Sequence, residues 1–117
     1  STAFPPIVGV GERSALPHCP PSLKKAEEAP FVLVDWGAKV DFYHSDLTRV
    51  IRSPGITPKK TVESRLAKIY TVVSEAQRKA AEAIRPGVHV REVDRAARGH
   101  IEAAGYGKRF NHGLGHG

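Results

Sequence analysis

The sequence predicts an α+β fold in which an antiparallel β-sheet is covered on one side by two helices. Residues 32–38 and 42–50 are apolar, β-branched and aromatic runs with a turn between them, which together predict a β-hairpin. At residues 61–84 and 90–104, apolar side chains recur every three or four positions, which predicts two helices. Because both helices follow the strands, the elements are grouped by type, as is typical of the α+β class.

The segment before the hairpin is predicted to be an edge strand followed by a stiff loop. Ile7-Val8-Gly9-Val10 follows a pair of prolines, and proline lacks the N–H that a central strand must donate. Residues 14–30 contain four prolines, which restrict the backbone of this loop. His18 lies in the loop, and the residues alone leave open whether it is a ligand, a substrate contact or a surface histidine.

The ends and faces of the two helices can also be predicted. Thr61 is a suitable N-cap for the first helix. Gly105 is well placed to cap the C-terminus of the second. Asp94 and Arg98 are four residues apart on the second helix and are expected to pair, with a small effect on stability if they are exposed. His100 is predicted to lie on the outer face.

Composition limits the class of protein. The 117 residues suffice for one small domain, with 40% apolar and 26% charged side chains. No apolar run approaches the ~20 residues of a membrane span. The net charge of +6 allows a nucleic-acid partner, but the basic residues are spread along the chain, so a solvated basic surface is the favoured interpretation. The single cysteine, Cys19, excludes an intramolecular disulfide and favours a reducing, cytoplasmic location.

Two aspartates in the hairpin present an electrostatic problem. With a two-residue loop at Val40-Asp41, Asp35 would lie directly opposite Asp46, and like charges across a ladder repel. A shared proton, an intervening basic side chain or a bridging cation would each relieve the repulsion. Carboxylate oxygens suit hard divalent ions. The alternative is that one aspartate is a solvated turn residue and that a slip in register separates the pair.

The last stretch, FNHGLGHG, is the second chemical signal. Its glycines argue against a helix, so a helical pair of metal-binding histidines is excluded. In an extended strand, His112 and His116 would lie on the same face. Imidazole is a common ligand for transition metals, and glycines allow a ligand to approach the backbone closely.

The order of these segments resembles a known family. His18 in SALPHCP, the aspartates of VDWGAKVDFYHSDLTR, the helix ending in RPG, the segment EVDRAAR and the final FNHGLGHG occur in sequence. Together they are similar to the aminopeptidase P and prolidase branch of the methionine-aminopeptidase-like superfamily, whose fold is called pita-bread. The resemblance covers residue 7 to the last residue and implies half of a pita-bread fold.

The resemblance also implies a site. Asp35, Asp46 and His116 match metal ligands for two divalent ions, with Asp46 bridging them. Mn(II) is favoured by family habit, with cobalt, iron and zinc as alternatives. His18 and His112 match histidines that line the substrate site and stabilise the reacting peptide group. The implied reaction is hydrolysis of an Xaa-Pro peptide bond by a water that the two ions activate.

The resemblance leaves several questions open. Two further glutamate ligands of the family lie downstream of the final GHG, so residues 1–117 are interpreted as part of a catalytic domain truncated at both ends, inactive as a fragment. Aminopeptidase and dipeptidase are not distinguished, and a homodimer is one alternative for the oligomeric state. The competing hypothesis is a pita-bread module that binds protein or nucleic acid without catalysis. A small basic RNA-binding domain is a weaker hypothesis, supported only by net charge.

Overall fold

The computed structural model, which describes residues 1–115, contains strands in the first part of the chain and helices in the second. The chain forms two compact units, one of residues 1–58 and one from Lys59 onward. Together the antiparallel sheet of the first unit and the two helices of the second confirm the predicted α+β class.

The first unit is built on a three-stranded antiparallel sheet. Its strands are β1 (Ile7–Val10), β2 (Phe31–Trp36) and β5 (Leu47–Arg52), in the order β1-β2-β5. The predicted edge strand is therefore confirmed. The loop between β1 and β2 contains two short 3-10 turns, Gly11–Ala15 and Ala26–Glu28. The core of this unit contains Val10, Ala29 and Val32, with Val34 packed against them.

A short ribbon extends the hairpin beyond the sheet. It consists of β3 (Lys39–Val40) and β4 (Tyr43–His44), which leaves Asp41 and Phe42 as the two loop residues. Asp41 has a φ of 52°, in the left-handed region that aspartate tolerates better than most residues. The predicted turn at Val40-Asp41 is thus one residue too early.

The position of the turn changes the predicted register. Asp35 pairs with Thr48, not with Asp46, and Trp36 pairs with Leu47. Moving the centre of a hairpin by one residue shifts the partner of every strand residue by two. Because side chains two residues apart lie on the same face of a strand, the shift changes the cross-strand partners but not the set of side chains on each face of the sheet. The prediction that the two aspartates are directly opposite is wrong.

The second unit contains two helices, α1 (Lys60–Ala83) and α2 (Val90–Ala103). Thr61 is not the N-cap of α1. Lys59 occupies that position with a φ of −56° and a ψ of 144°, and its carbonyl accepts hydrogen bonds from the N–H groups of Val62 and Glu63. Gly105 follows α2 with a φ of 85°, so the predicted glycine cap is confirmed. No helix among residues 1–115 is both long and apolar enough to cross a membrane.

Small side chains allow α1 and α2 to pack closely. Ala76 and Ala80 of α1 form a buried cluster with Ala97 and Ile101 of α2. His100 was predicted to lie on the outer face, but it lies beside this cluster. Its side chain is 21% exposed, and its Nε2 lies 2.9 Å from Oε2 of Glu75. The four-residue step from Ala97 to Ile101 places His100 at the edge of the contact with α1, which the helical period alone does not reveal.

Candidate functional site

Three of the predicted site residues line one cleft in the first unit. The cleft has a volume of about 440 Å³ and is lined by His18, Asp35 and Asp46, together with Cys19 and a proline-rich wall. Asp35 comes from β2, Asp46 lies immediately before β5, and His18 comes from the loop after β1. Since the two-residue shift in register preserves the faces of the hairpin, both aspartates reach the same cleft even though they are not a direct pair.

Asp35 is held by a neighbour on the adjacent strand. The residue is half-buried, and its Oδ1 accepts a hydrogen bond of 2.8 Å from Oγ1 of Thr48, the residue directly opposite. Thr48 is not among the site residues that the sequence predicts. A correct position for the turn would have identified it, because Thr48 then becomes the cross-strand partner.

The segment before Asp46 is held by a close approach of two backbones. The Ser45 N–H donates to the Ala38 carbonyl at 2.9 Å, and the Ala38 N–H donates to Oγ of Ser45 at 2.9 Å. Gly37 is buried here, and a Cβ at this position would overlap the Ser45 carbonyl oxygen. The glycine is therefore needed for this approach, which determines the position of Asp46 just before β5.

His18 lies in a restrained part of the proline-rich loop. It has a φ of 51°, and its neighbour Cys19 is buried. The loop is tied down through the Pro20 carbonyl, which accepts a hydrogen bond of 2.8 Å from Nη2 of Arg13. His18 itself is exposed and lines the cleft, so it does not lie on a surface remote from Asp35 and Asp46.

His112 belongs to the second unit, where residues 110–115 form an irregular loop. The predicted extended strand is absent from this described part of FNHGLGHG. The Phe110 and His112 carbonyls and the Leu114 N–H form hydrogen bonds with side chains of α2, not with a neighbouring strand. The exposed imidazole of His112 packs edge-on against the Phe110 ring, with 4.9 Å between the ring centroids. His116 lies outside the described residues.

An ion pair on α2 anchors this loop. Arg98 and Asp94 form the predicted pair, with Nε to Oδ2 at 2.8 Å and Nη2 to Oδ1 at 3.1 Å. The hydrogen bond from Arg98 holds the pKa of Asp94 below its usual range, and the N–H of Leu114 lowers it further. The sequence predicted the pair but not its contacts with the loop.

Comparison with known proteins identifies the family. The family model described as Metallopeptidase family M24 matches residues 1–117. The chain belongs to metallopeptidase family M24. The predicted resemblance is thereby confirmed at the level of the family.

Relatives within family M24 include proteins described as Xaa-Pro dipeptidases. The chain is 44% identical over 117 residues to the Xaa-Pro dipeptidase of Pyrococcus horikoshii, covering 98% of this chain and 31% of that protein. The prolidase structure from Pyrococcus furiosus superposes with a TM-score of 0.83 at 41% identity, covering 99% of this chain and 33% of that one. The Xaa-Pro dipeptidase structure from Bacillus anthracis superposes with a TM-score of 0.84 at 39% identity, covering 100% of this chain and 31% of that one. The chain therefore spans about a third of the length of these relatives.

The cleft can be tested against the divalent cations that an M24 metallopeptidase uses. Asp35 and Asp46 supply carboxylate oxygens on one cleft, which suits hard divalent ions. Among residues 1–115, no group of three or more histidine, cysteine, aspartate or glutamate side chains is arranged to hold a metal ion. The donors of the described cleft thus fit part of a cation site, and the third predicted ligand, His116, lies beyond the described residues.

Proposed function

We propose that this chain forms part of a metal-dependent peptidase that hydrolyses Xaa-Pro dipeptides. The observation that carries the proposal is the convergence of Asp35, Asp46 and His18 on one cleft in a chain of family M24. The identity of more than 40% to a relative described as an Xaa-Pro dipeptidase favours a dipeptidase over an aminopeptidase.

Asp35, Asp46 and His116 are the residues that would hold two divalent cations, of which Mn(II) is the preferred choice. When bound, these cations would supply Lewis acidity that activates water and polarises the scissile carbonyl. The donor chemistry supports the choice, because carboxylates with one imidazole suit manganese and similar ions. The hydrogen bond from Thr48 supports the role of Asp35, since it holds one carboxylate oxygen in a defined orientation.

The histidines are proposed to act on the substrate rather than on the metal. His18 lines the cleft beside the aspartates, where an imidazole can donate a hydrogen bond to the oxygen of a reacting peptide group. His112 is exposed on its loop, and the T-shaped contact with Phe110 restrains its ring. Both side chains would orient the peptide and stabilise charge that develops on it.

The test compares two aspartates of the same hairpin in the complete gene product. Asp46→Asn removes a proposed ligand, whereas Asp41→Asn changes an exposed loop aspartate that does not line the cleft. Asparagine also tolerates the left-handed conformation at position 41, so this control should fold normally. We expect Asp46→Asn to abolish both stoichiometric Mn(II) binding and hydrolysis of an Xaa-Pro dipeptide, and Asp41→Asn to preserve both.

Two results would contradict the proposal. Full metal binding and activity in Asp46→Asn would exclude this residue as a ligand. Absence of both properties from the wild-type protein would instead favour the alternative, a pita-bread module that binds protein or nucleic acid without catalysis.

A further inference from the structure

The guanidinium of Arg98 makes more contacts than an ion pair requires. Besides its two hydrogen bonds to Asp94, it donates from Nη1 to the Phe110 carbonyl at 2.9 Å and from Nη2 to the His112 carbonyl at 2.7 Å. Its Cζ also lies 4.5 Å from the centroid of the Phe110 ring, within range of a cation–π interaction. One side chain thus contacts the loop at both ends of the three-residue segment from Phe110 to His112.

Asp94 contacts the same loop from the other side of His112. Its Oδ1 accepts a hydrogen bond of 2.9 Å from the Leu114 N–H in addition to the bond from Arg98. The two side chains are only about 30% exposed, and charge-assisted hydrogen bonds of this kind are the stronger ones. The pair therefore holds backbone groups on both sides of His112.

The loop needs such an anchor because its own sequence does not restrain it. Gly113 and Gly115 follow His112, and glycine has the largest backbone freedom of any residue. Residues 110–115 contain no regular secondary structure, so no ladder of hydrogen bonds defines their path. The bonds from α2 replace that ladder.

We propose that Asp94 and Arg98 are positioning residues that hold His112 in place for catalysis. The proposal rests on the proposed function, because it assigns the pair to the reaction through His112. Neither side chain is proposed to touch the substrate. Catalytic groups must be held to within a fraction of an ångström, so loosening the loop is expected to lower turnover even where the chain still folds.

The chemistry of the pair predicts which replacements fail. Lysine keeps the charge of Arg98 but replaces the planar fork with a compact ammonium, which does not span both Asp94 oxygens and two carbonyls. Exchanging the two residues, Asp94→Arg with Arg98→Asp, retains an ion pair at the same spacing. The exchange nonetheless places an acceptor where the loop carbonyls need a donor.

The first experiment measures order in the loop without relying on activity. Amide hydrogen exchange at Leu114 should be about tenfold faster or more in Arg98→Lys and in the exchanged double variant than in the wild type. Arg78→Lys is the matched control, because Arg78 forms an exposed pair with Glu82, also four residues apart, on α1. The control should leave exchange at Leu114 unchanged. Restored protection in the double variant would overturn the proposal, since an ion pair alone would then suffice.

The second experiment asks whether the pair acts through His112. Arg98→Lys should lower kcat on an Xaa-Pro dipeptide about tenfold in the wild-type background and less than about twofold in a His112→Ala background. An equal loss in both backgrounds would overturn the positioning role. Asp94→Asn, which keeps the shape of the side chain, serves as a second variant if Arg98→Lys does not fold.

The two proposals fail in different ways. A lack of peptidase activity in the wild-type protein would contradict the proposed function. The hydrogen-exchange experiment would then still decide whether Asp94 and Arg98 order the loop. If the wild-type protein is active but Arg98→Lys changes neither the hydrogen-exchange rate at Leu114 nor kcat, only the positioning role is contradicted.

Discussion

Replacing Gly37 with alanine is expected to destabilise the hairpin that carries Asp46. A Cβ at this position would overlap the Ser45 carbonyl oxygen and would lie 2.9 Å from its carbonyl carbon and 3.0 Å from the Ala3 Cβ. The overlapping atoms belong to the backbone, so they do not rotate away as the end of a flexible side chain would. Relieving the overlap requires a backbone shift of more than about 1 Å, because even close C···O contacts are roughly 3.3 Å.

The cost in free energy can be estimated from the hydrogen bonds that such a shift would break. Ser45 and Ala38 exchange two hydrogen bonds of 2.9 Å, and the Ala3 N–H donates to the Gly37 carbonyl at 2.9 Å. Each hydrogen bond contributes about 0.5–1.5 kcal/mol to the free energy of unfolding. Loss of two of them lowers the free energy of unfolding of this unit by about 2 kcal/mol.

Urea unfolding followed by tryptophan fluorescence measures this effect locally. Trp36 is the only tryptophan in the sequence and is adjacent to Gly37. In small proteins the free energy of unfolding falls by about 1–3 kcal/mol for each 1 M of urea, so the urea concentration at the midpoint should decrease by about 1 M. Gly99→Ala is the opposite control, because a Cβ added there meets no atom of another segment within 4 Å and alanine favours the interior of α2 by about 0.5–1 kcal/mol. Its urea midpoint, followed by the circular dichroism of the helices, should not fall. A midpoint for Gly37→Ala within about 0.2 M of the wild type would refute the reasoning.

Three further predictions concern the cleft, the helical core and the anchor. Thr48→Val should weaken Mn(II) binding about tenfold in calorimetry, because Asp35 loses the donor that orients it, whereas Thr48→Ser should not. Ala97→Leu should cost about 1–3 kcal/mol in urea unfolding followed by circular dichroism, since this alanine is 0% exposed between the helices. Because folding lowers the pKa of Asp94 from its ordinary 3.8, its charge stabilises the fold above that pH. The stability difference between wild type and Asp94→Asn should stay constant above pH 3.8 and shrink as the pH falls through the lowered pKa; a difference independent of pH would contradict the assignment.

The elements of the fold were largely predictable, whereas the register of the hairpin was not. Apolar, β-branched and aromatic runs located β1 and both halves of the hairpin, and helical periodicity located both helices, because both signals depend on side chains close together in the chain. The register depended on which residue adopted a left-handed conformation. Asp41 carried that signal, since aspartate tolerates positive φ, but the chain offered a loop at Val40-Asp41 as an alternative.

The same division applies to the candidate site. Asp35 and Asp46 line one cleft, although the direct cross-strand pairing predicted for them was wrong. Thr48 was missed because its role follows from the register. The pairing of Asp94 with Arg98 was visible from their spacing, but their bonds to Phe110, His112 and Leu114 were not, because these contacts span 12–20 residues of chain.

The sequence by itself determined the α+β class and the glycine cap of α2, and it indicated the aspartates and histidines that are proposed for the site. These features follow from local spacing, from the chemistry of individual side chains and from the order of motifs. Only the tertiary structure decided that Asp35 faces Thr48, that Gly37 accommodates the Ser45 carbonyl and that Arg98 anchors the loop of His112. Each of these depends on the path of the backbone between distant residues, and moving one turn by a single residue is enough to change every cross-strand partner.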